Sequence, residues 1–215
     1  MKQIMWLVAF LVLADCGGVG LAQSDAVVDQ PLIAHAILVP SQQDSKSPAE
    51  SLDTQRERDA LRVFLKSLQE RIVPAAGAMP ADKYRFAPTD GEFKGVRTFG
   101  QQVKHLAATN YILAAAALGE EPPSSAGDEN GPEAVRTKAE VLEYLRESFD
   151  SLSKAIDVIG KRSVSVRSSP ISPLQGVSAT RLTLVVEALM HASNHYGQMV
   201  EYLRMNGVVP PASRP

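Results

Sequence analysis

Two histidines, His191 and His195, stand four residues apart in the stretch from Arg181 to Gly207, RLTLVVEALMHASNHYGQMVEYLRMNG. The stretch reads as one long helix. An α-helix advances 3.6 residues per turn, so positions i and i+4 lie on one face, one above the other. Two imidazoles so placed can reach one metal ion. A third histidine, His105, lies in another helical stretch among Gln102, Leu106, Thr109, Ile112 and Leu113, on or beside an apolar face. An inward imidazole needs a hydrogen-bond partner or a metal, because burying an unpaired polar group costs roughly 1–3 kcal/mol. One imidazole from one helix and two from another make a facial set. Such a set leaves positions open for water or substrate, as a catalytic zinc site does. Zn, Ni, Co and Fe all accept imidazole, and sequence does not choose among them. The alternative is that these are hydrogen-bonded core or cleft histidines, since a His-x-x-x-His pair also arises by chance on amphipathic helices.

Glu187 precedes His191 by one turn and projects to the same side. It could accept a hydrogen bond from a ligand imidazole, act as a general base, or stay solvated at the helix edge. Asn194 and Gln198 flank the pair and could support it. The chain shows no defensible Ser-His-Asp arrangement, no GxGxxG and no phosphate loop. Its net charge of -2 lacks the basic excess of a nucleic-acid surface.

The elements that must position these residues announce themselves as four helices. Ser47-Pro48-Ala49-Glu50 has the form of a capping box with proline at the first helical position. The helix after it carries Leu61, Phe64, Leu65, Leu68 and Ile72 as an apolar stripe, and Pro74 is expected to kink or end its last turns. A second helix opens at Thr98-Phe99-Gly100-Gln101 and stops at Gly119. A third opens at Thr137-Lys138-Ala139-Glu140 and ends at Gly160. The fourth begins near Ser178 and ends at Asn206-Gly207, before Pro210 and Pro211. It is apolar on more than one side and is expected to be the most enclosed. An all-α four-helix bundle is the economical architecture. The links between helices run to about 17 to 23 residues, against about 2 to 8 in simple up-and-down bundles. At least one link could therefore cross the length of the bundle and leave two neighbouring helices parallel.

The first 22 residues have the layout of a secretory signal. Lys2 gives a positive start, Ile4 to Ala14 is an apolar run, and Gly20-Leu21-Ala22 places small residues where a signal peptidase reads. The cut is expected before Gln23, giving an exported, periplasmic or extracellular chain with no stable membrane association. An uncleaved anchor and a lipoprotein signal ending at Cys16 are the alternatives. A mature chain from Gln23 has no cysteine. Residues 23–46 read as a flexible segment, and 47–213 as the helical domain. The apolar excess on the helices leaves room for a homodimer.

The residues also carry a family likeness. His191-Ala192-Ser193-Asn194-His195-Tyr196-Gly197-Gln198, with Tyr202 to Gly207 and Val209-Pro210-Pro211 after it, resembles the last helix of the DinB-like, YfiT-related proteins. The stretch from Phe99 to Leu106 resembles their second helix, which carries the first histidine, and Thr137-Lys138-Ala139-Glu140 resembles the opening of their third. The resemblance covers about residues 55 to 213. It implies a bundle of up-down-down-up topology, often dimeric. It implies a divalent metal, Zn, Ni or Fe, held here by His105, His191 and His195. It also implies a transferase or isomerase that uses a low-molecular-weight thiol, and a metal that activates water instead would make a metal-dependent hydrolase, in either case acting on an unknown small molecule. Such thiols are mainly cytoplasmic, and this chain carries an export signal, so the substrate class does not transfer with the fold. The competing expectation is a non-catalytic binding or stress-related bundle whose metal is structural or absent.

Overall fold

The computed structural model describes residues 51–89, 95–161 and 179–214. These form four long helices: α1 (Leu52–Ala78), α2 (Phe99–Leu118), α3 (Lys138–Asp157) and α4 (Arg181–Met205). Among the described residues there is no strand, and no helix is long and apolar enough to cross a membrane.

Local sequence explains each boundary. Thr98 and Gln101 form a reciprocal capping box at the start of α2, and Thr137 and Glu140 form one at the start of α3. These side chains satisfy amide hydrogens that have no partner in the first turn. Gly119 ends α2 in the left-handed region, at φ 79°, which costs glycine least. The expected cap at Ser47 lies outside the described residues, and the described helix has Ser51 as its N-cap. Pro74 does not end the helix, because α1 runs on to Ala78. Proline removes one amide hydrogen, which leaves the carbonyl of Glu70 without its helical partner. Glu70 is exposed, so water can take that role, and the turn after it is held by fully buried Ala75, Ala76 and Met79.

Side-chain contacts fix the topology. Lys138 donates to the carbonyls of Gly77 and Met79 at 2.7 Å each, joining the end of α1 to the start of α3. Arg58 reaches the carbonyl of Ile159, joining their opposite ends, so α1 and α3 are antiparallel. Arg181 donates to the carbonyl of Ala117, and Tyr202 to the carbonyl of Arg97, so α2 and α4 are antiparallel. Tyr84 donates to the carbonyl of Ala76 and packs edge-on against Phe99, which puts the end of α1 beside the start of α2. Together these contacts give an up-down-down-up bundle with α2 and α3 parallel. The link 119–137 must therefore climb the whole bundle, as the link lengths suggested.

The core is built from Ile72, Phe99, Leu106, Leu113, Leu145, Phe149, Leu152, Leu184, Met199 and Leu203, all essentially free of solvent. The expectation that α4 is the most enclosed helix is overturned. Fifteen of the 20 residues of α2 are buried, against nine of the 25 of α4. The Ala114–Ala117 run lets neighbours approach α2 closely, and the climbing link covers its remaining side. On α4, Leu182, Val186 and Met190 face solvent instead.

Lys138 caps the end of α1 from another helix. Lys138→Met should remove two charge-assisted hydrogen bonds and cost about 1.5–3 kcal/mol in urea unfolding, with an unchanged denaturant slope. A loss below about 0.5 kcal/mol would show that water serves those carbonyls equally well.

Candidate metal centre

His105 comes from the second turn of α2, and His191 and His195 from the middle of α4. Antiparallel packing of the two helices brings them face to face. Their nearest ring nitrogens all lie within 4.8 Å of one another. His191 Nε2 is 3.2 Å from His105 Nε2 and 2.9 Å from His195 Nε2. A metal–imidazole bond is about 2.0–2.1 Å, so ligand nitrogens around one ion sit about 3.0 Å apart at a right angle and about 3.4 Å apart at the tetrahedral angle. The two measured separations match that range within 0.1 Å or so. The donor set suits a borderline divalent ion, since all three atoms are imidazole nitrogens and no thiolate competes. The three histidines are thus positioned to hold a metal ion.

The surroundings set which ring nitrogen is available. His105 Nδ1 donates to the backbone carbonyl of Glu129, on the climbing link. A carbonyl can only accept, so the proton sits on Nδ1 and the Nε2 lone pair faces the other two rings. The side-chain amide of Gln102 lies 2.6 Å from His195 Nδ1. The two ends of an amide are interchangeable by a half-turn. Here the same amide nitrogen also bonds Gln198 Oε1, so a half-turn would set two oxygens against each other, and Gln102 buttresses the His195 ring without fixing its tautomer. Gln102 is itself held by Gln198, which also bonds Asn194. His191 Nδ1 is buried without a partner.

Electrostatics favour neutral rings. Burial pushes His191 down to about 3, helped by its two imidazole neighbours, and burial together with His105 pushes His195 down to about 4. Burial also lowers His105, while the Glu129 carbonyl opposes the shift. The positive charge of Arg97 acts on all three in the same direction. The ligands are therefore deprotonated well below neutral pH, and a metal need not displace protons to bind.

One flank of the centre is open. A cavity of about 810 Å³ is lined by His195, Gln102, Gln198, Arg97, Lys104 and Tyr202, among others. Of the residues singled out in the sequence, His105, His191 and His195 come together, and Gln198 joins them through Gln102. Glu187 is half-buried and makes no hydrogen bond to the three imidazoles. The sequence reading missed three supports. Gln102 carried a signal, an amide on the apolar face one turn before His105. Arg97 carried only its position beside a helix cap. The Glu129 contribution is a backbone carbonyl and leaves no trace in residue type.

The sequence model of the DinB superfamily matches residues 55–199 of this chain. That span runs from the second turn of α1 to past His195 and takes in all three histidines. No curated protein matches the chain.

The depressed imidazoles make the metal-free fold acid-sensitive. Unfolded histidines take up protons below about pH 6.5, whereas His191 and His195 in the fold wait until about 3 and 4. The unfolded state then binds more protons across that window, so stability falls as pH drops from about 6.5 toward 4. In EDTA, the melting temperature should decline through this range, and His191→Leu should flatten the decline. An unchanged profile in the variant would remove His191 as a cause.

Proposed function

Because the chain belongs to the DinB superfamily, we propose that it is an exported metal-dependent enzyme that acts on a small molecule in the cavity beside the three histidines. The observation that carries this reading is the pairing of a three-imidazole cluster with an open flank. A structural metal site is closed by a fourth protein ligand, whereas a catalytic one keeps a position for water or substrate. Among the described His, Cys, Asp and Glu side chains, the potential ligand atoms gathered here are the three ring nitrogens.

His105, His191 and His195 would hold the ion through their Nε2 atoms. When bound, it supplies a Lewis acid that lowers the pKa of a coordinated water or thiol. The protein's own groups do the rest. The Glu129 carbonyl holds His105 in the tautomer that offers Nε2, and Gln102 buttresses the His195 ring. The climbing link and the start of α2 wall the cavity, so that a substrate approaches from one side. Hydrolysis is the favoured reaction class, because water is the nucleophile at hand outside a cell; thiol transfer is the runner-up. Glu187, one turn below His191, is the nearest carboxylate on α4 that could serve as a base. Export rests on Lys2, the apolar run Ile4 to Ala14 and the small residues Gly20 and Ala22.

The test is elemental analysis of the chain from Gln23 onward, beside its His195→Ala variant. About one equivalent of a divalent metal is expected in the first and little in the second. Metal in neither, even after reconstitution, would demote the histidines to packing residues and favour a non-catalytic bundle.

A further inference from the structure

The cavity beside the histidines is not neutral. Arg97 and Lys104 both line it, with Glu133 as the one acidic residue in the lining. The two cations differ in what they still have to offer. Lys104 gives one of its three N–H donors to the carbonyl of Pro132 at 2.8 Å, has its stem packed beside Gly131, and offers a point charge with no fixed fork. Arg97 is held in place but incompletely satisfied. Tyr202 of α4 donates to its carbonyl at 3.0 Å, and Thr98, the cap of α2, follows it in the chain. Its guanidinium meets Asn130 at 3.3 Å and the Glu129 carboxylate only at 3.7 Å. Its Nε is buried with no hydrogen-bond partner. The Nε is closed to solvent, but the side chain is 33% exposed, so its terminal Nη groups are what an incoming anion meets.

We propose that Arg97 is the anion-recognition residue of this cavity, holding a carboxylate of the substrate while another part of the same molecule reaches the three histidines. The planar fork of arginine matches a carboxylate with two parallel hydrogen bonds, which fixes orientation as well as charge. The carboxylate of Glu129 occupies this role loosely and is displaced when the substrate enters. The proposal rests on the metal reading above, because the second anchor of the substrate is the ion.

The experiment uses the chain loaded with cobalt(II), whose visible spectrum reports its ligands. Dicarboxylates from malonate to adipate, and their neutral diamides, are titrated by calorimetry and by spectrum into the wild type, Arg97→Gln and Arg97→Lys. Cobalt content and melting temperature are measured for each. At least one dicarboxylate should bind the wild type roughly tenfold or more tighter than Arg97→Gln and shift the cobalt bands, with Arg97→Lys between the two. The diamides should show no such difference. If cobalt is bound in full but no dicarboxylate binds, or all bind Arg97→Gln as well as the wild type, the assignment of Arg97 is overturned and the metal site stands. If the wild type takes up no cobalt, the metal reading fails and the proposal falls with it.

Discussion

Three imidazoles, with His191 Nε2 about 3 Å from the Nε2 atoms of both others, cannot all be positively charged. Much of the surrounding structure can be read as the means of keeping them neutral and turned toward one point. Burial lowers each ring's affinity for a proton, and the nearby guanidinium lowers it further. Two Nδ1 atoms are tied outward, one to a backbone carbonyl and one to an amide. What each ring turns inward is its Nε2 atom, and nitrogens so gathered are costly to bury unless they bond to one another or to an ion.

The topology serves this cluster in a way that a simpler bundle would not. Antiparallel α2 and α4 set one histidine opposite two. Parallel α2 and α3 force the link 119–137 to run the length of the bundle, and on its way it passes His105 and Arg97. Gly131, at φ 76°, lies against Lys104 where the link crosses α2. A short hairpin between α2 and α3 would leave no chain at that position, and so no carbonyl for His105 Nδ1. The fold's least economical feature is thus the one that orients a ligand.

How much of this could be read from sequence depends on the range of the physics. Helix ends are local events, and both capping boxes and the glycine stop of α2 were legible from three or four residues each. The i, i+4 spacing of His191 and His195 is equally local. Burial is not. The fourth helix has apolar residues on several sides, yet α2, with its small alanines, is the one enclosed, because enclosure depends on how closely neighbours can approach. Pro74 shows the same limit: the rule against proline in a helix holds for an isolated segment, and tertiary packing of Ala75, Ala76 and Met79 overrides it. Glu129 acts through a main-chain atom that every residue possesses, so no pattern of side chains could have pointed to it.

The division of labour between the helices bears on how the site responds to strain. His191 and His195 share one helix, so the backbone spacing beneath their 2.9 Å separation is set by helical geometry. His105 sits across the α2–α4 interface, so its distance from the pair is set by tertiary packing. Gln102, on α2, bonds to the α4 residues His195 and Gln198, and Tyr202 of α4 reaches back to Arg97. These contacts pin the two helices above and beside the cluster. The fully buried Leu106 and Val103 of α2 and Ala192, Met199 and Leu203 of α4 fill the same interface. A substitution that shifts α2 along α4 would move His105 relative to a pair that stays intact. The pair would keep two ligands, and the third, together with Arg97 and the wall of the cavity, would be what is lost first.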